Sequence, residues 1–110
     1  MSLFRKIIAR DAATEDADEQ HSLVVEFSDR VLRSATGMTW ESRVELFDDF
    51  YVHLRQNFAQ KDVAGSIFPR IVEKVVDALG VQPVTSFAQA RIYANSASAS
   101  HRDLAQAWLR

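Results

Sequence analysis

Trp40-Glu41-Ser42-Arg43-Val44-Glu45-Leu46-Phe47-Asp48-Asp49-Phe50-Tyr51-Val52-His53-Leu54-Arg55-Gln56-Asn57-Phe58 decides the fold. Trp40, Val44, Phe47, Tyr51, Leu54 and Phe58 follow spacings of 4, 3, 4, 3 and 4. That is the seam of an α-helix packing on other helices, not the two-residue alternation of a strand. Leu46 and Phe50 widen the stripe on one flank, so the helix is expected to meet more than one neighbour. Thr39 is placed to cap its start, and the expected span is 40–60.

The same periodicity extends outward. Asp16 with Glu19 has the spacing of a reciprocal helix cap, and Leu23, Val24, Phe27, Val31 and Ala35 form one face of a helix over 17–35, which Gly37 ends. Upstream, Leu3, Phe4, Ile7 and Ile8 form a short stripe with Arg5, Lys6 and Arg10 off it. This predicts a short helix over 2–10. Downstream, Gly65-Ser66 reads as a break. Ser66 is the expected cap of a helix over 67–79 with Pro69 in its first turn and Gly80 at its end. Its inner face is Phe68, Ile71, Val72, Val75 and Leu79.

Ser86 with Gln89 repeats the capping spacing. From there Phe87, Ala90, Ala94, Ala97, His101, Leu104 and Trp108 follow spacings of 3 and 4. A single helix over 87–109 is the favoured reading. A break at Asn95-Ser96, with a restart at Ser100 and Asp103, is the alternative. No segment alternates with period two for long enough to form a strand. The expectation is one all-α domain over residues 1–110, a compact four-helix bundle with a short extra N-terminal helix and no β-sheet.

Composition agrees with this. The chain has 110 residues, 47% hydrophobic and 25% charged, with only three glycines and two prolines. A domain of this size buries roughly two-thirds of its unfolded surface, enough for one core. There is no cysteine. Disulfides, thiolate metal sites and cysteine nucleophiles are therefore excluded. No apolar run approaches the ~18 residues needed to span a membrane. The N-terminus lacks the continuous apolar run of a secretory signal, and a cytoplasmic setting is expected. Arginine outnumbers lysine ten to three. Charge is uneven along the chain: residues 1–10 carry +3, residues 11–29 carry −7, and the net charge is −2. No global positive field draws in nucleic acid.

Candidate chemistry is sparse. His53 and His101 would be ligands for a metal or haem if they faced each other inside a bundle. Neither has a second ligand at helical spacing, and the expectation is no metal and no cofactor. Glu41, Glu45, Asp48 and Asp49 form an acidic row on the polar side of their helix, read as a solvated face. The acidic stretch from Asp11 to Glu19 lacks the glycine and the spacing of a calcium loop. There is no Gly-x-Ser-x-Gly elbow and no glycine-rich phosphate loop. Leu79-Gly80-Val81 followed by the helix at Phe87 resembles a helix–turn–helix junction in outline. The second helix would be the recognition helix, offering Gln89, Arg91, Asn95 and Arg102 without a basic cluster.

Eleven aromatics are more than one small core needs, five of them on the 40–58 helix. A subset, with Val52, Ile92 and Tyr93 as off-seam candidates, is expected to form an exposed association patch. The favoured function is a small non-enzymatic interaction module, a regulator, inhibitor or adaptor of another protein, with homodimer formation through a helix face. Arg5, Lys6, Arg10, Arg91 and Tyr93 are the expected partner-binding residues. The alternative is a DNA-binding regulator with a degenerate helix–turn–helix around residues 67–95.

Overall fold

The computed structural model describes residues 17–58 and 62–110. They form five α-helices and, among the described residues, no strand: α1 (Ala17–Ala35), α2 (Trp40–Phe58), α3 (Val63–Leu79), α4 (Phe87–Ala94) and α5 (Ala99–Leu109). The helix expected over 2–10, and with it Arg5, Lys6 and Arg10, lies outside the described residues, as does the Asp16 cap.

α1 buries the face its sequence specifies. Leu23, Val24, Phe27, Val31 and Ala35 are all in the core. Gly37, at φ 84°, takes the left-handed conformation that stops the helix. Arg43 Nε then donates to the Ala35 carbonyl at 3.1 Å, satisfying one of the acceptors a helix end leaves open. The Arg43 guanidinium also lies over the Trp40 ring, 4.5 Å from its centroid. Thr39 Oγ1 accepts from the Ser42 N–H at 3.1 Å, so the expected cap starts α2.

On α2 the buried centre is Phe47, Phe50, Leu54 and Phe58. Trp40, Val44 and Tyr51 are only partly covered, while Phe50, expected on the flank, is 1% exposed. The face is rotated toward Phe50 because α2 packs against both α3 and α4. Phe50 meets Phe27 of α1 at 5.3 Å between ring centroids, and Tyr51 meets Phe68 of α3 at 4.7 Å.

α3 lies at the centre, in contact with α1, α2 and α4. It starts at Val63, four residues before the expected start at 67. Val63 and Ala64 are buried, and that apolar burial outweighs the weak helix propensity of Gly65-Ser66. Asp62 precedes the helix in the left-handed region, at φ 52°, which aspartate tolerates better than most residues. Ser66 therefore does not cap. Its hydroxyl donates to Gln20 Oε1 of α1 at 3.1 Å. Pro69 stands inside the helix rather than in its first turn, so the Gly65 carbonyl lacks its i+4 donor. Gly80, at φ 96°, ends α3 as expected.

The single helix over 87–109 is corrected: it is two helices broken at residues 95–98. Asn95 closes α4, and Ser98 Oγ accepts from the His101 N–H to start α5, so neither Ser100 nor Asp103 is the cap. The freed backbone finds partners across the fold. The Ala97 N–H donates to the Pro69 carbonyl of α3 at 3.0 Å, and Arg102 donates to the Ser96 carbonyl at 2.9 Å. The break turns a different face inward. Gln89, Ala90, Ile92 and Tyr93 of α4 and His101 and Ala105 of α5 are buried. Phe87 is 60% exposed and Trp108 40% exposed.

Candidate functional site

The break sets α4 across α2 and α3, and a groove of about 290 Å³ opens between the three helices. Val44, Phe47, Asp48 and Tyr51 of α2 form one wall, and Gly65, Phe68, Pro69 and Val72 of α3 the other. Arg91 and Ile92 of α4, with Asn95 beyond it, close the end. The lining is mostly apolar and aromatic with a few polar groups at the rim, the usual make-up of a site that binds by burial and orients by charge.

The rim is held by one cross-helix pair. Arg91 Nη2 stands 3.3 Å and 3.4 Å from the two carboxylate oxygens of Asp48. Both side chains are about half exposed, so the pair contributes little to stability and either group can turn to a partner. Asn95 Nδ2 donates to the Arg91 carbonyl at 3.0 Å, which ties the helix end to the same corner. The absent Pro69 N–H also falls on this wall, so the helix ladder is interrupted where the groove is lined.

Of the expected partner-binding residues, the structure brings Arg91 to this groove. Tyr93 is corrected: it is 0% exposed and offers no surface to a partner. Its ring packs edge-on against Trp40 at 5.9 Å, and its hydroxyl accepts from the Gln82 N–H at 3.1 Å. The off-seam set divides likewise: Val52 is exposed, whereas Ile92 is buried at the end of the groove. From sequence, Phe68 and Val72 read as core, Pro69 as a first-turn residue and Asn95 as a helix end or recognition-helix residue, none of them as the lining of a protein-binding groove. The signal that pointed toward them was the excess width of the apolar stripe on α2, which has a second neighbour to serve.

Glu41, Glu45, Asp48 and Asp49 are all exposed on α2, and of the four Asp48 lines the groove. His53 is half-buried on α2. His101 is buried, with both ring nitrogens engaged: Nδ1 lies 2.6 Å from Ser96 Oγ and Nε2 lies 2.9 Å from Asp77 Oδ1. Among the described residues no group of three His, Cys, Asp or Glu side chains is arranged to hold a metal.

Ser96, His101 and Asp77 thus form a serine–histidine–aspartate chain. Its burial runs opposite to that of a nucleophilic triad, in which the hydroxyl must meet substrate and the carboxylate is buried. Here Ser96 is 2% exposed and the Asp77 side chain 57%. Ser96 Oγ also accepts from the Ser98 N–H at 3.0 Å. With a neutral ring, Ser96 donates to Nδ1 and Nε2–H donates to Asp77. The chain of bonds locks α5 to the end of α3 and so fixes the break that shapes the groove.

A second, more open cleft lies between α1 and α3, lined by Val25, Ser28, Asp29, Leu32, Lys74, Asp77 and Ala78. Ser28 Oγ is buried there without a hydrogen-bond partner among the described residues.

The junction between α3 and α4 spans residues 80–86. That is longer than the turn of about 3–4 residues in a helix–turn–helix. α4 has eight residues, with Gln89 buried and Arg91 paired to Asp48.

No family model, curated protein or solved structure matches this chain. Among the described residues no helix is long and apolar enough to cross a membrane.

Proposed function

We propose that this protein is a non-enzymatic helical interaction module, a regulator, inhibitor or adaptor that receives an apolar segment of another protein in the α2–α3–α4 groove. The observation that carries this reading is the groove itself, an aromatic slot on the surface with a breakable ion pair at its rim. Apolar side chains of a partner would displace water from Phe47, Tyr51 and Phe68, and polar groups flanking them would exchange onto Arg91 or Asp48. The short recognition helix, the long junction and the acidic row on α2 favour a protein partner over DNA. The architecture we propose is a four-helix bundle in which the α4–α5 pair takes the place of the fourth helix. Pairing of two copies would draw on the exposed Phe87 and Trp108, whose rings lie 6.4 Å apart. Sedimentation of wild type against Phe87→Ser decides that point.

The test of the main reading is affinity capture from the source lysate with nuclease present, comparing wild type with Val44→Glu. The expected result is one stoichiometric protein lost from the variant, with the helical spectrum unchanged. Equal capture by both proteins overturns the groove as the binding surface.

A further inference from the structure

The charges that border the groove select its occupant. We propose that the partner segment carries an acidic side chain beside its apolar anchors, and that Arg91, with Arg55 nearby, receives it. This rests on the reading of the groove as a protein-binding surface.

The first observation is that the Arg91 guanidinium is held but not filled. A saturated arginine–carboxylate pair uses two nitrogens, each about 2.7–2.9 Å from its oxygen. Here one nitrogen, Nη2, serves both Asp48 oxygens, at 3.3 Å and 3.4 Å. Among the described residues, Nε and Nη1 of Arg91 have no hydrogen-bond partner. Asp48 therefore steadies the guanidinium at the end of the groove and leaves it donors to spare.

The second is the balance of charge around the slot. Asp48 and Arg91 are the charged side chains on its lining. Arg55 stands over the ring of Tyr51, 5.9 Å from the centroid, exposed and without an ion-pair partner among the described residues. Two guanidinium groups and one carboxylate give the border a net charge of +1. The other carboxylates of α2, Glu41, Glu45 and Asp49, do not line the groove. An arriving cation finds one carboxylate, already taken by Arg91. An arriving carboxylate finds unfilled donors, and its apolar neighbours exclude water from the pair as they enter the slot, which strengthens it. The Asp48 side chain is 58% exposed, so it gives way to water at little cost.

The test pans full-length wild type against a displayed library of random short peptides, in parallel with Val44→Trp, which fills the slot without adding charge. Peptides kept by wild type and lost by Val44→Trp are expected to carry Asp or Glu within one helical turn of two apolar residues. One such peptide is then synthesised with its acid changed to the amide. The change is expected to weaken binding about fivefold or more on wild type and to leave binding to Arg91→Ala unaltered. Both replaced side chains border open space, and unchanged helical spectra report that the variants fold. Groove-dependent peptides without an acid, or with a basic residue in its place, overturn the proposal and leave the groove reading standing. An acid-to-amide loss of equal size on wild type and Arg91→Ala does the same. A pool in which no peptide distinguishes wild type from Val44→Trp overturns the groove reading and the proposal with it.

Discussion

Replacing Gln89 tests the junction that sets the angle of α4. Gln89 is 1% exposed, and its side chain stitches the α3–α4 connector to α4. Oε1 accepts from the Thr85 N–H at 2.9 Å, and Nε2 donates to the Pro83 carbonyl at 3.2 Å. A third contact, to the Gln82 carbonyl at 3.5 Å, is at the limit of a hydrogen bond. Each of the two good bonds contributes about 1 kcal/mol net. Gln89→Leu loses both but keeps an apolar side chain of similar length, and water can reach the exposed Pro83 and Thr85. A loss of about 1–3 kcal/mol follows. Gln89→Glu keeps the acceptor for Thr85 but sets a buried carboxylate oxygen against the Gln82 and Pro83 carbonyl oxygens, where the amide had donated. An unpaired buried charge costs several kcal/mol, or takes up a proton instead. At neutral pH the Glu variant should therefore be the less stable of the two, although it is the closer isostere. The sign with pH follows. Burial raises the folded-state pKa of the introduced carboxyl above its unfolded value, so the penalty is present above the unfolded pKa and fades as pH falls. Guanidinium unfolding followed by circular dichroism, at neutral and mildly acid pH, measures both effects. A Glu variant as stable as wild type, or a gap from the Leu variant that does not narrow in acid, would refute the polar junction.

The other expectations concern the same corner of the molecule. Tyr93→Phe removes the acceptor of the Gln82 N–H and should cost about 1 kcal/mol, a fall in Tm of roughly 4–8 °C by calorimetry. Ser96→Ala takes a buried partner from both His101 and the Ser98 N–H and should cost about 1–3 kcal/mol, with faster amide exchange confined first to α5. Gly80→Ala places a β-carbon at φ 96° and should destabilise by about 1 kcal/mol or more, read from the denaturant midpoint. Arg91→Ala breaks only a half-exposed pair and should change stability by less than about 1 kcal/mol while weakening partner capture; a large drop in Tm would show that Arg91 is structural instead.

Helix identity was legible wherever the apolar pattern had one interpretation. Leu23 through Ala35 read correctly because α1 has one wet side and one dry side. Thr39, Ser86 and Gly80 act as expected because caps and stops are local. The last third misled because Ala94 and Ala97 fit an exposed or a buried site equally well, so the seam from Phe87 to Trp108 was continuous without being real. What breaks it is Ser96, whose partner His101, with Asp77 on the far side of that ring, and whose neighbour's acceptor at Pro69 are brought together only by the fold. Tyr93 was misplaced for the same reason: with α4 ending at Ala94, its ring turns inward. Val63 and Ala64 extended α3 past a glycine because burial exceeds propensity there. Of the groove, Arg91 was legible as an exposed cation. Its neighbours were not, since Tyr51, Phe68 and Asn95 come from three parts of the chain, each with an ordinary local role.

The most direct measurement of the groove's role places a photo-crosslinking amino acid at Tyr51, inside the slot, or at Val25, on the exposed face of α1, in the full chain expressed in its own source cells. Irradiation is expected to give one protein adduct from the Tyr51 position and none of that mass from Val25. Adducts of the same protein from both positions, or from Val25 alone, would contradict the groove as the surface through which this protein acts.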